Sequence, residues 1–355
     1  MGVFRYSKNV GIKRSHLLFS PMILLVIFFL SLNSCGTETP EKRIESMFQS
    51  VCSVTIHGRP RDADFNAVWK RLREIDGMMN MWDDESVLSA LNARAGSGLV
   101  RTTPEIIEAL TRGLELAECT GGRYDPTVGP LVKLWGVGTQ RARVPTDTGI
   151  AVALALVDWR NVKLNTAAST VELASPGMVL DFGSMAKGYG AREAGRILAK
   201  RGVRSALVDV GGCVVAVGAH PSGKPWKIGV QDPSGSRGSE IIGYFVGRDI
   251  SVATSGIYER TFEEGGRAYH HIMDTSTGRP VENELLSVSV VVDRSLNSDG
   301  PPLALLALGT DAGIELADRL GLVAIFLRKD GRIAVSIAAK EVFILTSNKY
   351  VCYTP

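Results

Sequence analysis

DFGSMAKGYGA, residues 181–191, decides how the chain is read. It is entered from the apolar run Met178, Val179, Leu180 and left through an amphipathic segment reaching about Lys200. A strand that ends in an acid and a glycine, then turns into a helix with a lysine in its first turn, gathers a carboxylate, exposed amides and a cation at one point. The first N–H groups of a helix lack intrahelical partners and carry partial positive charge, so the junction suits a phosphate-bearing ligand. Taken alone, the motif is equally satisfied by an ordinary turn with Asp181 as a cap and Lys187 in solvent.

Working outward, Asp64 to Met81 carries Phe65, Val68, Trp69, Leu72, Ile75, Met78 and Met79 at helical spacing and is expected to pack on a sheet. Ser86 caps a shorter helix closed by Gly96, and Pro104 opens another that Gly121 and Gly122 end. The stretch RYDPTVGPLVKLWGVG, from Arg123, is too rich in Gly and Pro for a regular element and too apolar for a linker. SVTIH (from Ser53), NVKLN, TVELA, SALVDV, WKIGVQ, LLSVSVVV, VAIFLR, GRIAVSI and VFILT read as strands. Many antiparallel hairpins with interspersed helices predict α+β, largely antiparallel sheets flanked by helices.

The 355 residues carry a formal net charge of +3, but Arg5, Lys8, Lys13 and Arg14 precede residue 35 with no acid among them. Without these, 36 basic residues face 37 acids. No basic stripe interleaved with aromatics occurs, so nucleic acid is not an expected partner. The same first residues read as an address: basic to Arg14, apolar from Leu17 to Leu30, then Leu32, Asn33, Ser34, Cys35. This resembles a bacterial lipoprotein signal over 1–34, with Cys35 as the lipidated residue, 35–44 a tether and 45–355 the folded body. An uncleaved membrane anchor is the alternative. Either places the body outside the inner membrane, facing the periplasm or the cell exterior. Cys52, Cys119, Cys213 and Cys352 lack CxxC spacing and sit among apolar residues, so buried free thiols are expected.

Glycine, acid, hydroxyl or histidine cluster again at YDPTVG (Tyr124 to Gly129), DVGG (Asp209 to Gly212), TSGIY (Thr254 to Tyr258) and YHHIMDTSTGRP (Tyr269 to Pro280), with Asp299 and Gly300 after the long strand. In this order, and above all in HHIMDTSTGRP, the chain resembles the ApbE family of FAD:protein FMN transferases from about Phe48 to about Gly321. The resemblance implies an ApbE-like fold with FAD as substrate and Mg2+ as cofactor. It also implies transfer of FMN onto a Thr or Ser hydroxyl of a partner membrane protein, with AMP released. By the same resemblance, Asp299 and the carbonyl of Ser184 hold the magnesium, and Asp181 with Lys187 meets the nucleotide. Arg123, Tyr124 and Asp125 fall on the adenosine side, Met273 lines the flavin pocket, and Trp82 offers an aromatic face to a ring.

Breaking a diphosphate asks for cations, amides and alignment, with a base for the entering hydroxyl. His271 is the expected base, because imidazole accepts a proton near neutral pH without standing charge, and Asp274 is expected to orient it or to support the metal. A packed histidine beside a surface one would also account for the pair His270–His271. Departures from the family pattern stand at Phe48, Gln49 and Ser50 (usually Met or Leu, Gly, Thr), at Cys213, at Pro301 and Pro302, and at Leu303, where a threonine is usual. Two alternatives therefore stay open: an FAD diphosphatase yielding FMN and AMP, and a flavin-binding lipoprotein without chemistry.

Overall fold

The computed structural model describes residues 39–235, 238, 240–292 and 300–355; the leader with Cys35, and Asp299, lie outside the described residues. Residues 40–355 form one unit. Its first strands, β1 (Glu41–Met47) and β2 (Ser50–Ile56), pair antiparallel with Met47 opposite Ser50. Phe48 and Gln49 are therefore the whole turn, and both sit in the left-handed region, φ 54° and 51°. Such a primed turn matches strand twist but favours Gly, Asn or Asp. Glu41 to Ile44, expected to be tether, thus belong to the sheet.

Helix α1 (Asp62–Met79) ends two residues before the expected Met81, at Asn80 in extended conformation. Its buried face is Phe65, Val68, Trp69, Leu72, Ile75 and Met79. Ser86 Oγ accepts from Ser89 N at 3.0 Å to cap α2 (Val87–Asn92). After β3 (Val100–Arg101), Thr103 and Pro104 open α3 (Pro104–Cys119). The irregular reading of the next stretch is corrected. Gly129–Trp135 is a helix, α4, with Pro130 in its first turn and Gly136 closing it at φ 60°, the arrangement proline and glycine favour. Then come α5 (Asp147–Leu154) and the hairpin β4 (Val162–Asn165) and β5 (Thr170–Leu173), which β3 completes as a small sheet.

The strand expected to end at Leu180 is also corrected, for only Val179 makes a bridge, to Val128. Loop and side-chain groups satisfy the backbone instead. Leu180 N donates to Asn92 Oδ1 (2.8 Å), Leu180 O accepts from Asn92 Nδ2 (3.0 Å), and Asp181 N donates to Pro126 O (2.9 Å). From this turn α6 (Ala186–Lys200) departs.

The remaining strands are β6 (Ser205–Val210), β7 (Cys213–Gly218), β8 (Trp226–Gln231), β9 (Ile241–Gly247), β10 (Ser251–Gly256), β11 (Thr261–Glu264), β12 (Arg267–His270) and β13 (Leu285–Val292). Helices α7 (Pro301–Leu308) and α8 (Thr310–Arg319) follow, then β14 (Val323–Arg328), β15 (Arg332–Val335), β16 (Phe343–Leu345) and β17 (Val351–Tyr353). The main sheet runs β1-β2-β6-β7-β10-β13-β14-β15-β17, antiparallel except for β15 with β17. One face takes helices: α1 and α6 over Val54, Val208 and Val215, α7 and α8 over Val288, Val290 and Phe326. The sheet β16-β9-β8 covers the other face, with Trp226, Ile228 and Phe245 against Ala216, Val252 and Ile325. The α+β expectation is met. The four body cysteines are free thiols; Cys52 is buried and Cys213 half-buried, but Cys119 and Cys352 are exposed, contrary to expectation. Cys119 ends a helix at the surface and Cys352 lies on the outermost strand, so apolar neighbours in sequence do not bury them.

Candidate active site

Two groups of helices over one sheet leave a gap between them, and a cavity of about 800 Å³ occupies it. Its floor includes Cys213 and Ala253 of the sheet, and its walls are the starts of α6 and α7. Asp181, Ser184, Lys187, Trp82, His271 and Met273 all line it, as do Gly300 and Leu303. The turn at 181–187, the His-His segment and the residue after Asp299 are therefore neighbours.

At the start of α6, Asp181 Oδ1 accepts from Gly183 N at 2.8 Å, which folds the turn at the cavity wall. Burial pushes the Asp181 carboxyl above its ordinary range, and the amide of Gly183 with the charges of Arg260 and Lys133 only partly offsets this. Among the described residues no backbone N–H donates to the Ser184 carbonyl, which leaves a hard oxygen available to a cation. Ser184 Oγ lies 3.0 Å from the Tyr124 hydroxyl. Gly300, at φ 108°, passes close to the same tyrosine: a Cβ there would sit 3.5 Å from its oxygen and 2.8 Å from Leu116. Buried Tyr124 thus bonds to the turn before α6 and lies close to the start of α7. Pro301 and Pro302 occupy the first turn of α7, where a missing N–H costs nothing, so they do not disturb the helix.

His271 follows β12, and its Nδ1 lies 3.4 Å from the Arg260 carbonyl oxygen. Burial, then the charges of Arg260 and Lys187, lower its pKa to about 3. The imidazole is therefore neutral and faces two cations. His270 instead packs beside the sheet, its Nε2 2.9 Å from Val281 O.

The carboxylate expected to orient His271 is used elsewhere. Asp274 Oδ1 accepts from Ser276 N (2.8 Å), Ser276 Oγ (2.6 Å) and Arg123 Nη1 (3.1 Å). Burial raises this acid, but those hydrogen bonds and Arg123 outweigh it and hold the group below the usual range. Asp125, buried, accepts from Thr127 N and Oγ1, both 2.7 Å, and from Trp159 N at 2.9 Å. Burial nonetheless pushes its carboxyl up. Arg123, Tyr124, Asp125 and Asp274 thus stand behind or beside the cavity rather than in its wall. Arg260, not singled out from sequence, is the residue that both carries charge into the cavity and presents a carbonyl to His271; its place two residues after Tyr258 in the TSGIY segment was the only signal. Among the described residues no cluster of three or more His, Cys, Asp or Glu could hold a metal. No helix among them is long and apolar enough to cross a membrane.

A family model described as the ApbE family matches residues 48–326. The chain belongs to the ApbE family. It is 35% identical over 334 residues to the FAD:protein FMN transferase of Treponema pallidum (strain Nichols), spanning 88% of this chain and 92% of that protein. A protein of the same name from Klebsiella pneumoniae (strain 342) is 33% identical over 270 residues, 76% of this chain and 83% of its own length. Among solved structures, the ApbE protein of Thermotoga maritima superposes with a TM-score of 0.77 at 28% identity, covering 86% of this chain and 99% of that one. The apo flavinyl transferase ApbE of Pseudomonas stutzeri gives 0.76 at 27% identity, covering 88% and 100%. This ApbE fold therefore extends over most of the chain.

Proposed function

We propose that the protein transfers FMN from FAD to a Thr or Ser hydroxyl of a partner membrane or periplasmic protein and releases AMP. The observation that carries the reading is a neutral histidine sharing one cavity with Lys187, Arg260 and the amides at the start of α6. The acceptor oxygen attacks the FMN-side phosphorus, and the bond from that phosphorus to the bridging oxygen breaks. AMP leaves with the bridging electron pair, and the hydroxyl proton passes to His271 Nε2, the nitrogen left after Nδ1 faces the Arg260 carbonyl. A base lowered to about 3 is weak; burial, the largest cause, persists when substrate binds, but a bound diphosphate cancels the charges of Lys187 and Arg260 and so raises the proton affinity part of the way back. The same two cations balance the charge that builds on the phosphoryl oxygens.

The open Ser184 carbonyl suits a hard cation, and with the Asp299 carboxylate it would hold Mg2+; when bound, the ion supplies positive charge to the diphosphate. Leu303 offers no oxygen, and water or a carbonyl has to complete such a site. We further propose that Cys35 is lipidated and keeps the body at a bacterial membrane, facing the periplasm or exterior, where the acceptor resides.

The test is incubation with FAD and Mg2+, with and without acceptor peptide, for the wild type and for His271→Ala, Asp299→Ala and Lys187→Ala. Covalent flavin on the peptide, abolished in the first two variants and weakened in the third, is expected. AMP release without labelled peptide assigns a diphosphatase instead, and tight FAD binding without turnover a flavin-binding protein. Full transfer by both His271→Ala and Asp299→Ala would overturn the roles of base and metal ligand.

A further inference from the structure

One acid in the cavity wall has no part in that scheme. Asp76 belongs to the last turn and a half of α1, where the helix dipole disfavours a carboxylate and no basic residue compensates. It lines the cavity beside Met79, Met81 and Trp82, with Phe48 closing the same end. Its Oδ2 accepts from Phe48 N at 3.1 Å; no described residue donates to Oδ1. Burial, the largest influence, raises the acid, the Phe48 amide only partly countering it and Asp83 adding to it. Fixing the turn does not require an acid, since an asparagine oxygen would accept from Phe48 equally well.

We propose that Asp76 is a specificity-determining residue that accepts a hydrogen bond from the N–H edge of one ring system of FAD, stacked at the Trp82 end of the cavity. This rests on FAD being the substrate. Thioether and aromatic walls suit a planar heterocycle, and a carboxylate among them, the one described acidic side chain beside Ser46, Gln49, Ser50 and Asn80, fixes which edge faces inward. Two edges offer the chemistry: the flavin N3–H and the adenine exocyclic amine. An acceptor here rejects a ring that lacks its donor, because the carboxylate would be left unpaired.

The test uses Asp76→Asn, which keeps an oxygen for Phe48 N and turns the other oxygen into a donor. Wild-type binding of FAD comes first, because its absence sinks the functional reading and not this one. Given that binding, Asp76→Asn is expected to weaken FAD by about tenfold or more, with a melting temperature no lower than that of the wild type because the variant removes a charge that burial and the helix dipole disfavour. One half of the molecule, FMN or AMP, should show the same loss and so name the ring. Ligand methylation supplies an arm that needs no variant. For wild-type protein, either N3-methyl-FMN or N6,N6-dimethyl-AMP should bind about tenfold or more below its parent. Equal FAD affinity in Asp76→Asn, or methylated ligands that both bind like their parents, would overturn the assignment and leave Asp76 as a fastening for the Phe48 turn.

Discussion

In the ligand-free protein His271 should stay neutral far into the acid range. Its folded pKa is about 3, set by burial and then by Arg260 and Lys187, with His270 a smaller like-charge neighbour. An imidazole in the unfolded chain titrates near 6.5. The unfolded state therefore takes up a proton that the folded state refuses, and stability falls as pH drops through the window from about 6.5 to about 3. At pH 4.5 the gap is roughly two pH units, or about 2–3 kcal/mol. Urea unfolding at pH 7 and pH 4.5 measures it, with His271→Asn as the reference that cannot titrate. Wild type should lose about 2–3 kcal/mol more than the variant over that interval. A direct reading comes from the ring Cε1–H resonance, which His271→Asn identifies by its disappearance. It should not move between pH 7.5 and pH 4.5 without ligand, and should begin to titrate upward of that when a diphosphate such as ADP neutralises the two cations. A ligand-free midpoint near 6.5 would refute the argument, because it would mean that neither burial nor the cations act on the ring.

Three further outcomes follow from the packing. Gln49→Gly should stabilise the protein by about 1 kcal/mol, read as a rise of a few degrees in Tm, since Gln49 holds φ 51° where glycine is unstrained. Asp232, fully buried, is pushed up by burial but pulled down to about 2 by hydrogen bonds from Ser234 and Tyr350 and by Lys349. Its contribution is present above the unfolded pKa near 3.9 and lost as pH falls through about 2. Asp232→Asn should therefore cost on the order of 2 kcal/mol at pH 7 and almost nothing near pH 2 in paired denaturation curves. Gly129→Ala would set a Cβ 2.6 Å from the Val179 carbonyl oxygen, so it should lower Tm by several degrees and weaken FAD binding by displacing the turn at 181.

The helix of Asp62–Met79 was legible because its apolar residues recur at the helical period, and the strands of the main sheet because they alternate or run apolar. The turn at Asp181 and the His271 segment could be read as one site only through their resemblance to a family, since 90 residues separate them in sequence. Residues 129–135 escaped because glycine and proline, usually breakers, here sit at helix ends where they are favoured. Asp274 carries the look of a catalytic acid and Asp125 that of a ligand contact, yet short-range hydroxyls and amides claim their oxygens, a use of acids that sequence does not distinguish from chemistry. Arg260 was missed because a backbone carbonyl that meets His271 leaves no mark in the sequence, and its charge alone does not set it apart from the other arginines. Asp76 was hidden among the polar positions of an amphipathic helix.

Asn92 stands in for a neighbouring strand at Leu180, and the two are 88 residues apart. Closing a loop of that length costs on the order of 4 kcal/mol in chain entropy before any contact is gained. The native shape of the ligand cradle consequently depends on α2 being docked against it, since Asn92 supplies the partners that its own residues lack. A fragment beginning at Met178 would carry every group of the 181–187 turn and still lack the shape that gathers them, and any molecule that binds there reports on the assembly of the two halves of the chain.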